Sequence, residues 1–223
     1  MQETQTIPIV FVYIGDPIGS RYAETLARPG KNLTGFANFE APIGGKWLEL
    51  LKELSPQTKR VGFVYHPAAS PHIEFLNVAK STAPAFGLEL TAIPVTSMAE
   101  IENGITKFAD EGTDGGLVVA PHALTLGGSG VIAELATRYQ MPGVYGDSIF
   151  ARRGGLMSFG INPPDQLRRC AAYVKRILNG EKPSDLPVQL PVKYEMIINA
   201  KTADAFGLKI SPVLLGRADI VIE

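Results

Sequence analysis

Several residue types and patterns that define common protein classes are scarce in this chain of 223 residues. A single cysteine, Cys170, leaves no partner for an intrachain disulfide. Lys and Arg (21) nearly balance Asp and Glu (22), which leaves a net charge of −1 and no basic face for nucleic acid. No apolar run is long enough to span a membrane, and residues 1–14 lack the pattern of a signal peptide.

The motifs of several enzyme and metal-binding classes are also missing. The three histidines, His66, His72 and His122, fit no zinc-ligand spacing, and His72 is expected to be solvated in the first turn of a helix. No G-x-S-x-G elbow surrounds a serine, and no Walker A sequence occurs. The glycine-rich residues 127–130 are typical of a flexible loop. We therefore expect no catalytic residue, no metal and no cofactor.

Alternating strand and helix patterns make up most of the chain and predict an α/β fold with parallel sheets. The helix predicted at 42–54 has an apolar stripe, and a second stripe at 163–179 is expected to face inward: Leu167, Cys170, Ala171, Val174 and Leu178. Predicted strands are 7–14, 32–36, 61–65, 88–95, 116–120, 142–146, 154–160 and 194–199. Predicted helices are 21–27, 42–54, 130–140, 163–179 and 200–206, with two more starting at Ser70 and Ser97 and a break near Pro84.

The strands predicted at 142–146 and 154–160 are close in sequence, but the residues between them lack hairpin turn chemistry. We interpret this connector as leaving one sheet and entering another. Such a crossing loop would lie in a cleft between two lobes. Tyr145, Gly146 and Asp147 are then the first candidates for ligand contact.

In parallel α/β sheets, ligands bind beyond the carboxyl ends of the strands. This rule selects residues 16–20, 65–70, 120–129 and 145–153, although the same residues would also serve as plain turns and caps. The candidate ligand-binding residues are Asp16, Pro17, Ser20, Tyr65, His66, Pro67, Ser70, His122, Tyr145, Gly146 and Asp147.

Aromatic residues near the predicted cleft are interleaved with acids. Tyr13, Tyr65, Tyr145 and Phe150, together with acids at 16 and 147, suit a flat ligand that carries a cationic amine. The alternative, which the sequence leaves open, is that the tyrosines end their strands inside the core.

Six stretches resemble one known family in the correct order and cover nearly the whole chain. They are residues 7–20 (IPIVFVYIGDPIGS), 26–35 (LARPGKNLTG), 46–56 (KWLELLKELSP), 145–160 (YGDSIFARRGGLMSFG), 171–191 (AAYVKRILNGEKPSDLPVQLP) and 193–223 (KYEMIINAKTADAFGLKISPVLLGRADIVIE). The family is that of ABC-transporter substrate-binding proteins of the tryptophan/tyrosine type.

The resemblance implies a periplasmic-binding-protein type I-like fold, with two parallel-sheet lobes, three crossings and ligand in the interlobe cleft. It implies capture of a small solute, such as an aromatic amino acid or related aromatic acid, for an ABC permease, in the periplasm or another extracytoplasmic space. Relatives carry an export signal and roughly three further βα units before residue 7.

The shorter chain leads us to expect an incomplete first lobe, formed by residues 1–39 and 154–183. Lobe two would comprise residues 40–153 and 184–223. Bare sheet edges recruit other chains, so we expect a homodimer through the incomplete lobe. Two other interpretations remain open: the ligand-sensing effector domain of a transcription regulator, and an α/β hydrolase.

Overall fold

The computed structural model describes residues 4–38 and 40–223, which form two compact units. Unit 1 contains the described residues up to Glu40 together with Ile161–Tyr194, and unit 2 contains Ala41–Gly160 and Glu195–Glu223. The chain therefore changes unit three times, after Glu40, Gly160 and Tyr194.

Nine strands and nine α-helices occur in the described part of the chain. The strands are β1 (Ile9–Ile14), β2 (Leu33–Ala37), β3 (Arg60–Tyr65), β4 (Glu89–Pro94), β5 (Gly115–Val119), β6 (Gly143–Tyr145), β7 (Met157–Ile161), β8 (Tyr194–Asn199) and β9 (Ile220–Ile222). The helices are α1 (Ile43–Leu54), α2 (Ser70–Thr82), α3 (Met98–Asp110), α4 (Ala123–Gly127), α5 (Ser129–Arg138), α6 (Ser148–Arg152), α7 (Pro163–Leu178), α8 (Ala200–Ala205) and α9 (Pro212–Arg217). Short 3₁₀ helices occupy Ala83–Phe86 and Pro183–Asp185. The predicted α/β class with parallel sheets is confirmed.

Unit 2 is built on a sheet of strand order β4-β3-β5-β6-β7-β8-β9. The strands from β4 to β7 are parallel neighbours, and β8 and β9 are also parallel. Helix α1 contributes its predicted apolar stripe to the core, where Trp47 is fully buried and its indole N–H donates to the Phe159 carbonyl at 2.8 Å. Because each strand of a parallel sheet ends at the same edge, the loops after β3, β5 and β6 are brought side by side.

The connector at residues 147–153 does not cross between sheets, contrary to the prediction. It contains helix α6, and β7 pairs with β6 in the same parallel sheet, with Tyr145 opposite Ser158. Residues 154–160, predicted to begin lobe one, therefore belong to unit 2. Residues 184–194, predicted for lobe two, belong to unit 1, where the Val188 and Gln189 N–H groups donate to the Leu26 and Gly35 carbonyls.

Unit 1 has a two-stranded parallel sheet, β1-β2, and helix α7 packs on both strands. The buried face of α7 consists of Gln166 and Tyr173, and Gln166 donates to the Ala37 carbonyl at 2.7 Å. The predicted inward stripe is wrong for most of its members: Leu167, Val174 and Leu178 are 52 %, 41 % and 81 % exposed. A sheet of two strands covers too little of the helix circumference to bury them.

One predicted helix of unit 1 does not form. Residues 21–27 make turns instead, since Arg21 has a positive φ of 59° and the N–H groups of Tyr22 and Ala23 both donate to the Pro17 carbonyl. The other predicted helices form within a few residues of their expected bounds. Helix α2 ends at Thr82, just before Pro84, as expected of a proline that lacks a donor N–H.

Candidate functional site

Three neighbouring strand ends of unit 2 carry His66, His122 and Asp147, a set that we call the unit 2 rim. His66 follows β3 directly, His122 follows β5 after two residues, and Asp147 follows β6 after one. The register places Val64 opposite Val119, and Val119 opposite Tyr145. Since neighbouring strands are about 4.8 Å apart, the three side chains begin from adjacent positions along one edge.

The imidazole rings of His66 and His122 stack on each other. Their centroids are 4.1 Å apart and their planes differ by 24°. In His66, Nδ1 accepts a hydrogen bond from the Ala68 N–H at 3.2 Å, and in His122, Nδ1 accepts from the Leu124 N–H at the same distance. An acceptor Nδ1 in a neutral imidazole requires the proton on Nε2. Both rings are therefore fixed as Nε2–H donors.

His72 joins the two strand ends from within helix α2. Its Nδ1 accepts from the His66 backbone N–H at 3.0 Å, and its Nε2 donates to the Pro121 carbonyl at 3.2 Å. The side chain is 3 % exposed, so the expectation that His72 is solvated is wrong. Its signal in the sequence was the helical spacing that it shares with the buried residues Phe75, Leu76 and Ala79.

Burial favours the neutral forms of His72 and His122. Burial lowers the pKa of His72 from 6.5 to about 4, helped by repulsion from His122 and His66 and opposed by the hydrogen bond to Pro121. Burial also lowers the pKa of His122, and the nearby His66 lowers it further. The charged forms are disfavoured because a desolvated imidazolium beside other imidazoles loses hydration and gains repulsion.

Helix α4 holds the His122 turn in place, and sequence reasoning missed this helix. The Thr125 hydroxyl donates to the Ala120 carbonyl at 2.9 Å and accepts from the His122 N–H at 2.9 Å. His122 and Thr125 together form a capping box, with a histidine in the place usually taken by Ser or Asp. Because histidine is an unusual N-cap residue, the sequence pattern did not indicate a helix start at this position.

Asp147 begins helix α6 as its N-cap. Its Oδ1 accepts from the Ile149 N–H at 2.9 Å, and the residue is half-buried. The preceding Gly146 is buried, and a Cβ there would lie 2.5 Å from Pro121 and 2.9 Å from Trp47. The absence of a side chain at Gly146 thus allows the chain to pass close to Pro121 and Trp47.

Tyr145, predicted to contact ligand, lies in the core instead. It is fully buried, and its ring stacks on Phe150 with centroids 4.8 Å apart and planes 9° apart. Burial raises the pKa of Tyr145. The tight contacts that a Cβ would make at Gly143 and Gly155 show that these glycines leave space for the phenol ring. For Tyr145, the core alternative left open by the sequence is the correct one, and Phe150 is buried beside it.

The other predicted residues lie in two different units. In unit 2, Tyr65 and His66 are half-buried, whereas Pro67 and Ser70 are exposed, and Ser70 is the first residue of α2 rather than its cap. The remaining three belong to unit 1 and form the turn after β1: Asp16, Pro17 and Ser20. Asp16 Oδ1 accepts from the Gly19 N–H at 2.7 Å, and Pro17 is buried. Their contact with ligand stays a prediction.

Away from the rim, the described residues form a surface cavity but neither a metal-binding cluster nor a membrane-spanning helix. Across residues 4–38 and 40–223, no three His, Cys, Asp or Glu side chains are grouped to hold a metal ion. No helix in the same ranges has the length and apolarity to cross a bilayer. A surface cavity of about 430 Å³ shares no residue with the rim; it is lined by Gly130, Ala133, Glu134, Thr137, Arg138, Arg153 and Gly154.

Comparisons with known proteins agree on one family. A family model described as "ABC transporter substrate binding protein" matches residues 1–222. A "Tyrosine-binding protein" of Clostridioides difficile (strain R20291) is 22% identical over 206 residues, which are 92% of this chain. The chain spans 59% of the length of that relative.

Solved structures show the same likeness in three dimensions. An ABC domain from Streptococcus pneumonia, in complex with L-Trp, has a TM-score of 0.88 and 25% identity. The match covers 99% of this chain and 74% of that domain's chain. A conserved domain protein from Vibrio cholerae has a TM-score of 0.88 and 26% identity, and the match covers 99% of this chain and 73% of that protein's chain. A glucose-galactose binding protein from Geobacillus stearothermophilus, with a TM-score of 0.60 and 14% identity over 86% of this chain and 68% of its own, shares the fold alone.

Proposed function

Because the chain belongs to the ABC transporter substrate binding protein family, which is non-enzymatic, we propose that it captures a small solute for delivery to a membrane permease. The proposal includes action outside the cytoplasm, where the substrate-binding proteins of importers meet their solutes. The hydrolase interpretation is thereby excluded.

The solute that we propose is an aromatic amino acid or a related aromatic acid. A tyrosine-binding protein and a structure with bound L-Trp are among the relatives of this chain. The single observation that carries the proposal is the composition of the unit 2 rim. Two neutral N–H donors and one carboxylate begin from adjacent strand ends, which is the complement of a carboxylate and an ammonium on one small molecule.

Thermal shift against a panel of ligands tests this proposal. A ligand that binds only the folded chain raises its stability by RT ln(1 + [L]/Kd), or about 2.7 kcal/mol at one hundred times Kd. We expect L-tryptophan, L-tyrosine or a related aromatic acid to raise Tm, and D-glucose, D-galactose and Zn²⁺ to leave it unchanged. Stabilisation by the sugars or the metal alone would contradict the proposal.

We further propose that unit 1 associates with a second copy of the chain. Three large apolar side chains of α7 are exposed, at Leu167, Val174 and Leu178, and Tyr13 of β1 is 42 % exposed. Apolar surface left in water costs about 25 cal/mol per Å², so pairing two such surfaces is favourable.

A further inference from the structure

We propose that His66 and His122 act together as a pair of neutral donors for the carboxylate of the solute, and that His72 is the positioning residue of the pair. The inference rests on the proposed function and names the group of the solute that the rim recognises. Neither the stacked rings nor the buried histidine beneath them followed from the sequence, in which the three residues fit no known motif.

The two rings are held so that their donor nitrogens face away from their own turns. Each Nδ1 points back to the N–H of the residue two positions later. Nε2 lies across the ring from Nδ1, so it points away from the turn. Among residues 4–38 and 40–223, neither Nε2 has a hydrogen-bond partner. Both rings are half-buried, which leaves an edge of each accessible to a ligand.

A carboxylate fits this donor pair better than other small-molecule groups. With ring centroids 4.1 Å apart, the two Nε2–H donors belong to rings in contact, and a carboxylate has two oxygens with about four lone-pair positions. Hydrogen bonds to a charged acceptor are roughly twice as strong as neutral ones. A hydroxyl or an amide offers fewer acceptor positions and no charge, so the pair selects acids over their amides.

His72 determines where the pair stands. It bonds to the backbone of His66 through Nδ1 and to the carbonyl just before His122 through Nε2. Its ring also meets the ring of His122 edge-on, with centroids 5.8 Å apart. One buried side chain thus links the turns that follow β3 and β5, beyond the pairing of the two strands themselves. Its loss would remove this link between the two turns.

The test compares L-tryptophan with L-tryptophan amide, which lacks the carboxylate, by calorimetric titration at pH 7.5. Asn at 66 and 122 keeps an acceptor for the backbone N–H two residues on and removes the Nε2–H. We expect the wild type to prefer the acid about tenfold to hundredfold, and the double variant His66→Asn/His122→Asn to bring this ratio close to one. Indole-3-propionate keeps the carboxylate. Its affinity should therefore fall in the double variant by the same factor as that of L-tryptophan.

The outcomes separate this inference from the proposed function. A double variant that binds both compounds with the wild-type ratio would overturn the donor pair alone. A wild type that binds neither these compounds nor any other of the panel would overturn the proposed function and the donor pair together. If the double variant does not fold, NMR of wild-type protein labelled with ¹⁵N-histidine tests the donor pair instead. L-tryptophan must shift the Nε2 signals of His66 and His122, and L-tryptophan amide must leave them unchanged.

The positioning role of His72 has its own readout. His72→Phe removes both hydrogen bonds but keeps a ring, whereas His72→Asn keeps the acceptor for His66. We expect the acid-to-amide ratio to fall several-fold in His72→Phe and to recover in large part in His72→Asn. A His72→Phe protein that is less stable but retains the full ratio would show that His72 is structural only.

Discussion

The buried histidine of the rim should make the stability of the chain depend on pH. His72 has a pKa of about 4 in the folded chain, below its ordinary value of 6.5, because burial disfavours the charged ring. Between these two values the unfolded chain binds more protons than the folded one, so the free energy of unfolding rises with pH. The contribution is complete above pH 6.5 and is lost as the pH falls towards 4. At 1.36 kcal/mol per pH unit, the full loss is about 3 kcal/mol.

Urea unfolding, followed by circular dichroism at several pH values from 4 to 8, measures this effect. His72→Phe serves as the comparison because it keeps a ring of similar size and cannot titrate. We expect the variant to be less stable than the wild type at pH 7.5 and the difference to shrink by about 3 kcal/mol between pH 7.5 and 4. All other ionisable groups are common to the two proteins, so their contributions largely cancel in the difference.

A control at a half-exposed ring strengthens the assignment. His66→Asn keeps the ring of His72 and the backbone groups that it bonds to, so the pH dependence that His72 confers on stability should be retained. The reasoning is refuted if the wild type and His72→Phe lose stability in parallel as the pH falls. That result would mean that His72 is as easily protonated in the folded chain as in the unfolded one.

Three further predictions concern other parts of the chain. Asp147→Asn keeps a good N-cap, so Tm should stay within about 2 °C while the affinity for L-tryptophan drops by about 1–3 kcal/mol in calorimetric titration; a matching loss of Tm would mark a purely structural cap. Gly44→Ala should lower the free energy of unfolding in urea by about 1–3 kcal/mol, because the added Cβ would lie 2.3 Å from the Phe75 carbonyl. Gly130→Ala, with open space at its Cβ, should raise the free energy of unfolding by about 0.4–1 kcal/mol. Equal effects of the two substitutions would contradict the close contact between Gly44 and Phe75. Leu178→Lys should shift the mass measured by light scattering towards the monomer, and a wild-type monomer at all concentrations would refute the proposed association.

The alternation of strands and helices was predictable because it depends on local patterns. Apolar runs bounded by turn residues located every strand of unit 2 that forms the rim, and the rule of strand ends then selected His66, His122 and Asp147. These choices need no knowledge of distant contacts.

The errors concern residues whose placement depends on the number of neighbouring strands. Helix α7 has an apolar stripe at Leu167, Val174 and Leu178 that would be buried under a wider sheet, and periodicity alone does not reveal how many strands lie beneath a helix. The crossing predicted at residues 147–153 failed for a similar reason. A five-residue helix, α6, is too short for a periodic signal, so the connection between β6 and β7 looked irregular.

The arrangement of the rim lay beyond sequence reasoning because it depends on side-chain contacts between distant elements. His72 is 49 residues away from its partner Pro121, and the stacked rings of His66 and His122 come from separate loops. Tyr145 has the aromatic character of a ligand-binding residue, yet small residues at Gly143 and Gly155 leave room for its ring in the core. Residue type alone cannot distinguish a tyrosine that contacts ligand from one that packs in the core.

Mapping the solute by hydrogen exchange tests the central claim, that the chain binds its solute at the carboxyl ends of β3, β5 and β6. Amide exchange is followed by mass spectrometry with and without saturating L-tryptophan. The account predicts slower exchange in peptides that cover residues 66–72, 121–126 and 146–150, and little change at the surface cavity along α5. Protection confined to the α5 cavity, or no protection anywhere at a concentration that saturates binding, would contradict it.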